Sequence, residues 1–223
     1  MTLLPRRHWL ALAASALAIR PQAGWANGAR LPARIASPQL SHSQFVRNGL
    51  QQHFVPAAQA FASSSAALRD QLASGCAQQA ARELWRTAML DWERLSAVAV
   101  GPLLERRTAR TLDFWPTRPA MVSAAVQSRP QDTAALDKIG APATGLPALE
   151  WLLWQPTLDA DSCAYAAVLA TACTAEADTV LAAFQDLAQR QWTEETAFPV
   201  FQEWVGQAVG GLEQLRWKKI GKP

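Results

Sequence analysis

The chain has 223 residues, 50% of them hydrophobic and 17% charged. That length can bury the core of one or two domains, and that composition excludes a wholly disordered chain. The formal charge of +3 comes from the N-terminus: residues 1–26 hold Arg6, Arg7 and Arg20 and no acid, and beyond them 18 basic residues face 18 acidic ones. A neutral chain lacks the positive field that displaces counterions from phosphates, which excludes nucleic-acid binding as a function class.

Residues 1–26 read as a cleaved export signal. Arg6-Arg7-His8 form a positive n-region, Leu10 to Ala18 an apolar stretch too short to span a bilayer, and Gly24-Trp25-Ala26 a cleavage site. The order Arg6-Arg7-His8-Trp9-Leu10 is that of a twin-arginine signal, with an ordinary n-region as the alternative. The expected location is therefore the periplasm or cell envelope. No cysteine near the cleavage point offers a lipid anchor, and no later stretch reads as a transmembrane helix. Residues 27–40, with Gly28, Pro32, Ser37 and Pro38, read as a linker.

From there the expected elements are helices. Val46, Leu50, Phe54, Ala58 and Phe61 form one apolar stripe on a helix from Ser41 to Leu72, which Pro56 should kink or split. Gly75-Cys76 marks a turn, and a second helix covers Ala77 to Ala97 with Trp85, Ala88, Met89 and Trp92 on one face. Gly101-Pro102 interrupts, a short helix runs from Leu103 to Arg110, and one or two more fall within residues 118–140. Pro147 opens a helix through Trp154. A long one from Ser162 to Arg190 points Tyr165, Val168, Leu169, Ala172, Val180, Ala183 and Leu187 inward. The last is expected from Phe198 or Val200 to Lys218. Long helices with short connections imply an all-α, up-and-down antiparallel bundle.

Beyond the signal stand Cys76, Cys163 and Cys173. Cys163 and Cys173 share one helix about 15 Å apart, too far to bond. A bridge would join Cys76 to one of them, Cys163 being preferred at a helix start; three unpaired thiols are the alternative. His42 and His53 lie about 16 Å apart along the first helix, so one metal cannot take both. The basic stretches Arg106-Arg107 and Lys218-Lys219 read as solvated helix faces.

Three stretches carry candidate chemistry. Trp85 to Glu93 places two indoles on one helix face, which reads as core packing, and a buried indole needs a polar partner such as Glu93 or Asp113. Asp113-Phe114-Trp115-Pro116 with Arg118 is either a pocket wall or a plug at one end of the bundle. In Gly145-Leu146-Pro147-Ala148-Leu149-Glu150-Trp151-Leu152-Leu153, Pro147 suits a first helical turn and Glu150 reads as a carboxylate favoured by the helix dipole.

Taken together, these stretches resemble the imelysin family. The likeness extends through Phe54-Val55-Pro56, Trp85 to Trp92, Gly101-Pro102, Asp113 to Pro116, Gly145 to Leu153, Cys163-Ala164-Tyr165 and Gly211-Leu212-Glu213-Gln214-Leu215 to Pro223. The resemblance implies an all-helical envelope protein of two related bundles, linked to iron uptake, with a Gly-x-His-x-x-Glu motif at the functional site. Gly145 and Glu150 match that motif, but Pro147 holds the histidine position and cannot ligate a metal. Family members continue past Pro223, so residues 41–223 are expected to form an imelysin-like domain with an incomplete second bundle. The expected function is support of iron acquisition by binding a metal, ligand or envelope partner. Glu150 is the candidate metal ligand, for iron or another divalent cation, and Asp113, Trp115 and Gly145 are candidate ligand-binding residues. The alternatives are a metallopeptidase, in which Glu93 or Glu105 would replace the histidine, and a structural interaction module with no ligand site.

Overall fold

A computed structural model of the chain describes residues 40–217. The expected export signal, nearly all of the linker and the end of the chain lie outside the described residues. Within them the structure is all-helical, with no strand.

Helix α1 (His42–Gly49) starts at a capping box, in which the Ser41 hydroxyl accepts from the Gln44 amide and the Gln44 side chain accepts from the Ser41 amide. It runs through a π-helical turn, Leu50–Phe54, into α2 (Val55–Ser74). This wide turn is how the structure accommodates Pro56. The proline lacks an N–H and its ring crowds the preceding turn of an α-helix. Val55 donates instead to Leu50 O, five residues back, so the proline falls in the first turn of α2. The helix continues, and Val46, Leu50, Phe54, Ala58 and Phe61 all lie in the core.

Gly75 and Cys76 take positive φ values of 141° and 48° and reverse the chain into α3 (Gln78–Ser96). Ala81, Trp85, Ala88, Trp92 and Leu95 form its buried face. The expected helix from Leu103 to Arg110 is two pieces, α4 (Pro102–Glu105) and α5 (Thr108–Leu112), broken where Arg107 adopts a left-handed conformation. Arg106 is not simply solvated. Its Nη2 and Nε donate to the two Glu176 oxygens at 2.6 and 3.2 Å, and Thr108 Oγ1 adds a third bond at 3.0 Å. These bonds pin the α4–α5 junction to the helix that carries Glu176.

Helix α6 (Pro119–Ser128) and two 3-10 turns lead to α7 (Gly145–Leu153). Helix α8 (Ala160–Gln189) is capped by Asp159, which accepts from the Ser162 amide. It packs chiefly on α2, with α7, α6, α4 and α5 also against it. Its inward face differs from the expected one: Tyr165, Leu169 and Val180 are buried, but Cys173, Thr174 and Phe184 are inside and Val168, Ala172, Ala183 and Leu187 only half so. α8 is also long and apolar enough to cross a membrane by length and composition, with a mean hydropathy of 1.4 in its most apolar window. No such stretch was expected from the sequence. Here 39% of that window is buried, and the helix packs against those five helices as part of the core.

Helix α9 (Glu194–Leu215) starts earlier than expected and carries Pro199 inside it. Thr193 and Thr196 form a capping box, and Glu194 caps α1 in turn by accepting from the His42 and Ser43 amides at 3.0 and 3.1 Å. The Ser43 and Ser41 hydroxyls stand beside that carboxylate, and with the amides they hold it down to about 2.

Cys76 and Cys163 are disulfide-bonded, with their Cα atoms 6.1 Å apart and a sequence separation of 87. The bond ties the α2–α3 turn to the first turn of α8. Cys173 is a buried free thiol, pushed up to about 12 first by burial and then by the Glu176 charge, and so unreactive. Closing so long a loop restricts the unfolded chain strongly. Cys76→Ser combined with Cys163→Ser should lower unfolding free energy by about 2–5 kcal/mol, read as a shift of the urea midpoint against the oxidised protein.

Candidate functional site

The Gly145–Glu150 segment sits on α7, and neighbouring elements hold it at both ends. At its start Gly145 has φ of 75°, and a Cβ there would lie 2.5 Å from Leu112 O and 2.9 Å from Thr111 O. Only glycine accepts both the left-handed backbone and that approach to α5. Along its length α3 supplies the donors. Trp85 Nε1 donates to Leu146 O at 2.9 Å; Arg82 Nε and Gln78 Nε2 donate to Leu153 O at 2.7 and 2.8 Å. Gln78 and Arg82 also reach Gln155 O, so two side chains of α3 satisfy carbonyls at the C-terminal end of α7. Trp154 closes the arrangement, edge-on to Trp85 with the Arg82 and Arg86 guanidinium groups 5.6 and 5.1 Å from its ring. On the other side Tyr165 donates to Ala143 O at 2.6 Å, fixing the turn before α7.

Five of the six motif residues, Gly145 to Leu149, are buried, while Glu150 faces solvent. α7 begins at Gly145 rather than Pro147. Glu150 therefore lies beyond the first turn, and the dipole argument for its position does not hold.

Asp113 follows α5, half-buried, and accepts from Trp92 Nε1 at 3.1 Å. Burial raises its pKa, with the indole bond opposing the shift. Of the partners considered for the buried indoles, Asp113 serves Trp92, and a backbone carbonyl serves Trp85. Trp115, on the loop that follows and joined to Pro116 by a cis peptide, is 76% exposed.

The four candidate residues are not gathered into one pocket. Gly145 borders a cavity of about 440 Å³ whose polar lining includes Arg110, Thr111, Thr133, Asp137 and Thr144. Asp113 borders a second, of about 350 Å³, with Trp92, Arg107 and Arg110. Arg110 lines both; Glu150 and Trp115 line neither. Sequence reading missed Arg110, because one arginine among several on short helices carries no pattern that sets it apart. Among the described residues no three His, Cys, Asp or Glu side chains come together to hold a metal ion. Glu150 contributes one carboxylate and Pro147 none, so the residues present do not fit a resident metal.

An all-helical bundle with a buried Gly-Leu-Pro-Ala-Leu turn presenting one solvent-facing glutamate is the class that fold and site define. The imelysin (peptidase M75) family model matches residues 50–223, and the chain belongs to that family. An imelysin-like protein from Psychrobacter arcticum 273-4 shares the fold, with a TM-score of 0.70 and 20% identity over 82% of this chain and 63% of that one. The chain thus spans less than two thirds of that relative's length. It matches no curated protein.

The raised pKa of Asp113 has a definite sign. An acid whose folded pKa lies above its unfolded value binds protons more tightly when folded. Its ionisation therefore costs stability as pH rises from the usual aspartate range, near 3.9, through the folded value. Asp113→Asn keeps an acceptor for Trp92 and removes that titration. Its unfolding free energy should gain on the native chain as pH rises across this window, measured by denaturant melts at matched ionic strength.

Proposed function

We propose that this protein works outside the cytoplasm in iron acquisition, by binding a ligand or partner rather than by catalysis. The observation that carries this reading is the pairing of a buried Pro147 at the family's histidine position with a solvent-facing Glu150 three residues on. A metallopeptidase needs about three protein ligands and an open position for water. Proline supplies no ligating atom, and the buried proline leaves Glu150 as the carboxylate that faces outward from the segment. A single hard oxygen donor suits ferric iron as cargo that arrives with most of its coordination already filled by a chelator. The Cys76–Cys163 bridge supports an oxidising compartment, where such bonds persist.

The test is thermal unfolding of residues 27–223 and of Glu150→Ala with ferric citrate, citrate alone and divalent cations. A ligand at a hundredfold excess over Kd should add about 2.7 kcal/mol, roughly 5–10 °C in Tm for a chain of this size. Ferric citrate should raise Tm in the native chain and not in Glu150→Ala. Equal shifts in both proteins would exclude Glu150 as the binding group. No shift with any form of iron would leave a protein partner as the ligand.

A further inference from the structure

A third cavity lies away from the Gly145–Glu150 segment, where α9 meets the π-helical turn, α4 and the end of α8. It measures about 130 Å³, the room of about four water molecules in bulk. Its walls are apolar and aromatic, with Leu50, Phe184, Trp192 and Trp204 among them. Both indoles are held in place. Trp192 Nε1 donates to Leu187 O at 3.2 Å, and Trp204 packs edge-on to Phe54 with ring centroids 4.8 Å apart. Gly49 lies so close beneath Trp204 that a Cβ there would collide with the ring. The charged groups lining the cavity are Glu105, Glu203 and Arg190. Glu203 accepts the Gly101 N–H at 2.8 Å. All three are exposed residues, and two carboxylates against one guanidinium give the lining a net negative charge.

We propose that this cavity binds a small organic cation, an alkylammonium or quaternary ammonium group. Aromatic walls attract a cation through their ring faces, and two carboxylates beside them compensate its lost hydration. A neutral guest of the same shape would gain nothing from those carboxylates, and an anion would be repelled. The volume limits the guest to a group such as trimethylammonium. The occupant touches α9 and the bundle together, so binding should secure α9.

Choline and 3,3-dimethylbutan-1-ol have the same shape and differ in charge, which makes them the probes of choice. With residues 27–223, binding is followed by Tm and by chemical shifts of the Trp192 and Trp204 indole N–H groups. Choline should bind roughly tenfold more tightly than the alcohol. Glu203→Gln keeps an acceptor for Gly101 and should remove most of that preference while leaving the alcohol's affinity unchanged. Equal affinity for the two probes in the native chain would overturn the proposal, as would choline shifting neither indole.

Discussion

The clamp of α3 on α7 is the constraint on which the rest of the structure depends. α7 is short, apolar and buried on most sides, and its C-terminal carbonyls would be costly without donors. Gln78 and Arg82 supply those donors, and Trp85 binds Leu146 in the first turn of the helix. The same helix that satisfies α7 also places Trp92 against Asp113, so one amphipathic face orders both candidate stretches. Gly145 closes the other end by allowing α7 to rest on the backbone of α5. The five residues Gly145 to Leu149 are thus accounted for by packing, which leaves Glu150 as the solvent-facing group of the motif.

Two long-range ties hold the frame around this clamp. The Cys76–Cys163 bond joins the α2–α3 turn to the start of α8, and the Arg106–Glu176–Thr108 bonds hold α4 and α5 to its middle. α9 is attached differently, mainly to α1, with Glu194 in its first turn capping the N-terminus of α1. Its C-terminal half exposes Val205, Val209, Leu212 and Leu215.

Much of the fold was legible because its helices bury narrow stripes. The α1–α2 stripe and the Trp85, Ala88, Trp92 face follow the helical period, and the structure places them in the core. α8 was harder, because alanine and other apolar residues surround it on every side. Periodicity could not choose between Val168 and Cys173, or between Ala183 and Phe184, as the buried position. The start of α9 was read four or more residues late, since the Thr193–Thr196 box that begins the helix is short and polar. The site was legible only in part. The Gly145–Glu150 segment was found, but which of its residues face inward depended on the start of α7 and on the contact with α5, both set by tertiary structure. Arg110, shared by two cavities, carried no local signal at all.

The most direct measurement is native-state hydrogen exchange of the α7 amides in Trp85→Phe and Glu150→Ala. If α7 is held by its clamp and Glu150 is free for binding, Trp85→Phe should lower protection of α7 by about tenfold or more, as expected for one lost hydrogen bond with some lost packing. Glu150→Ala should leave that protection unchanged. Loosened α7 amides in Glu150→Ala, or full protection in Trp85→Phe, would contradict this account and make Glu150 part of the scaffold.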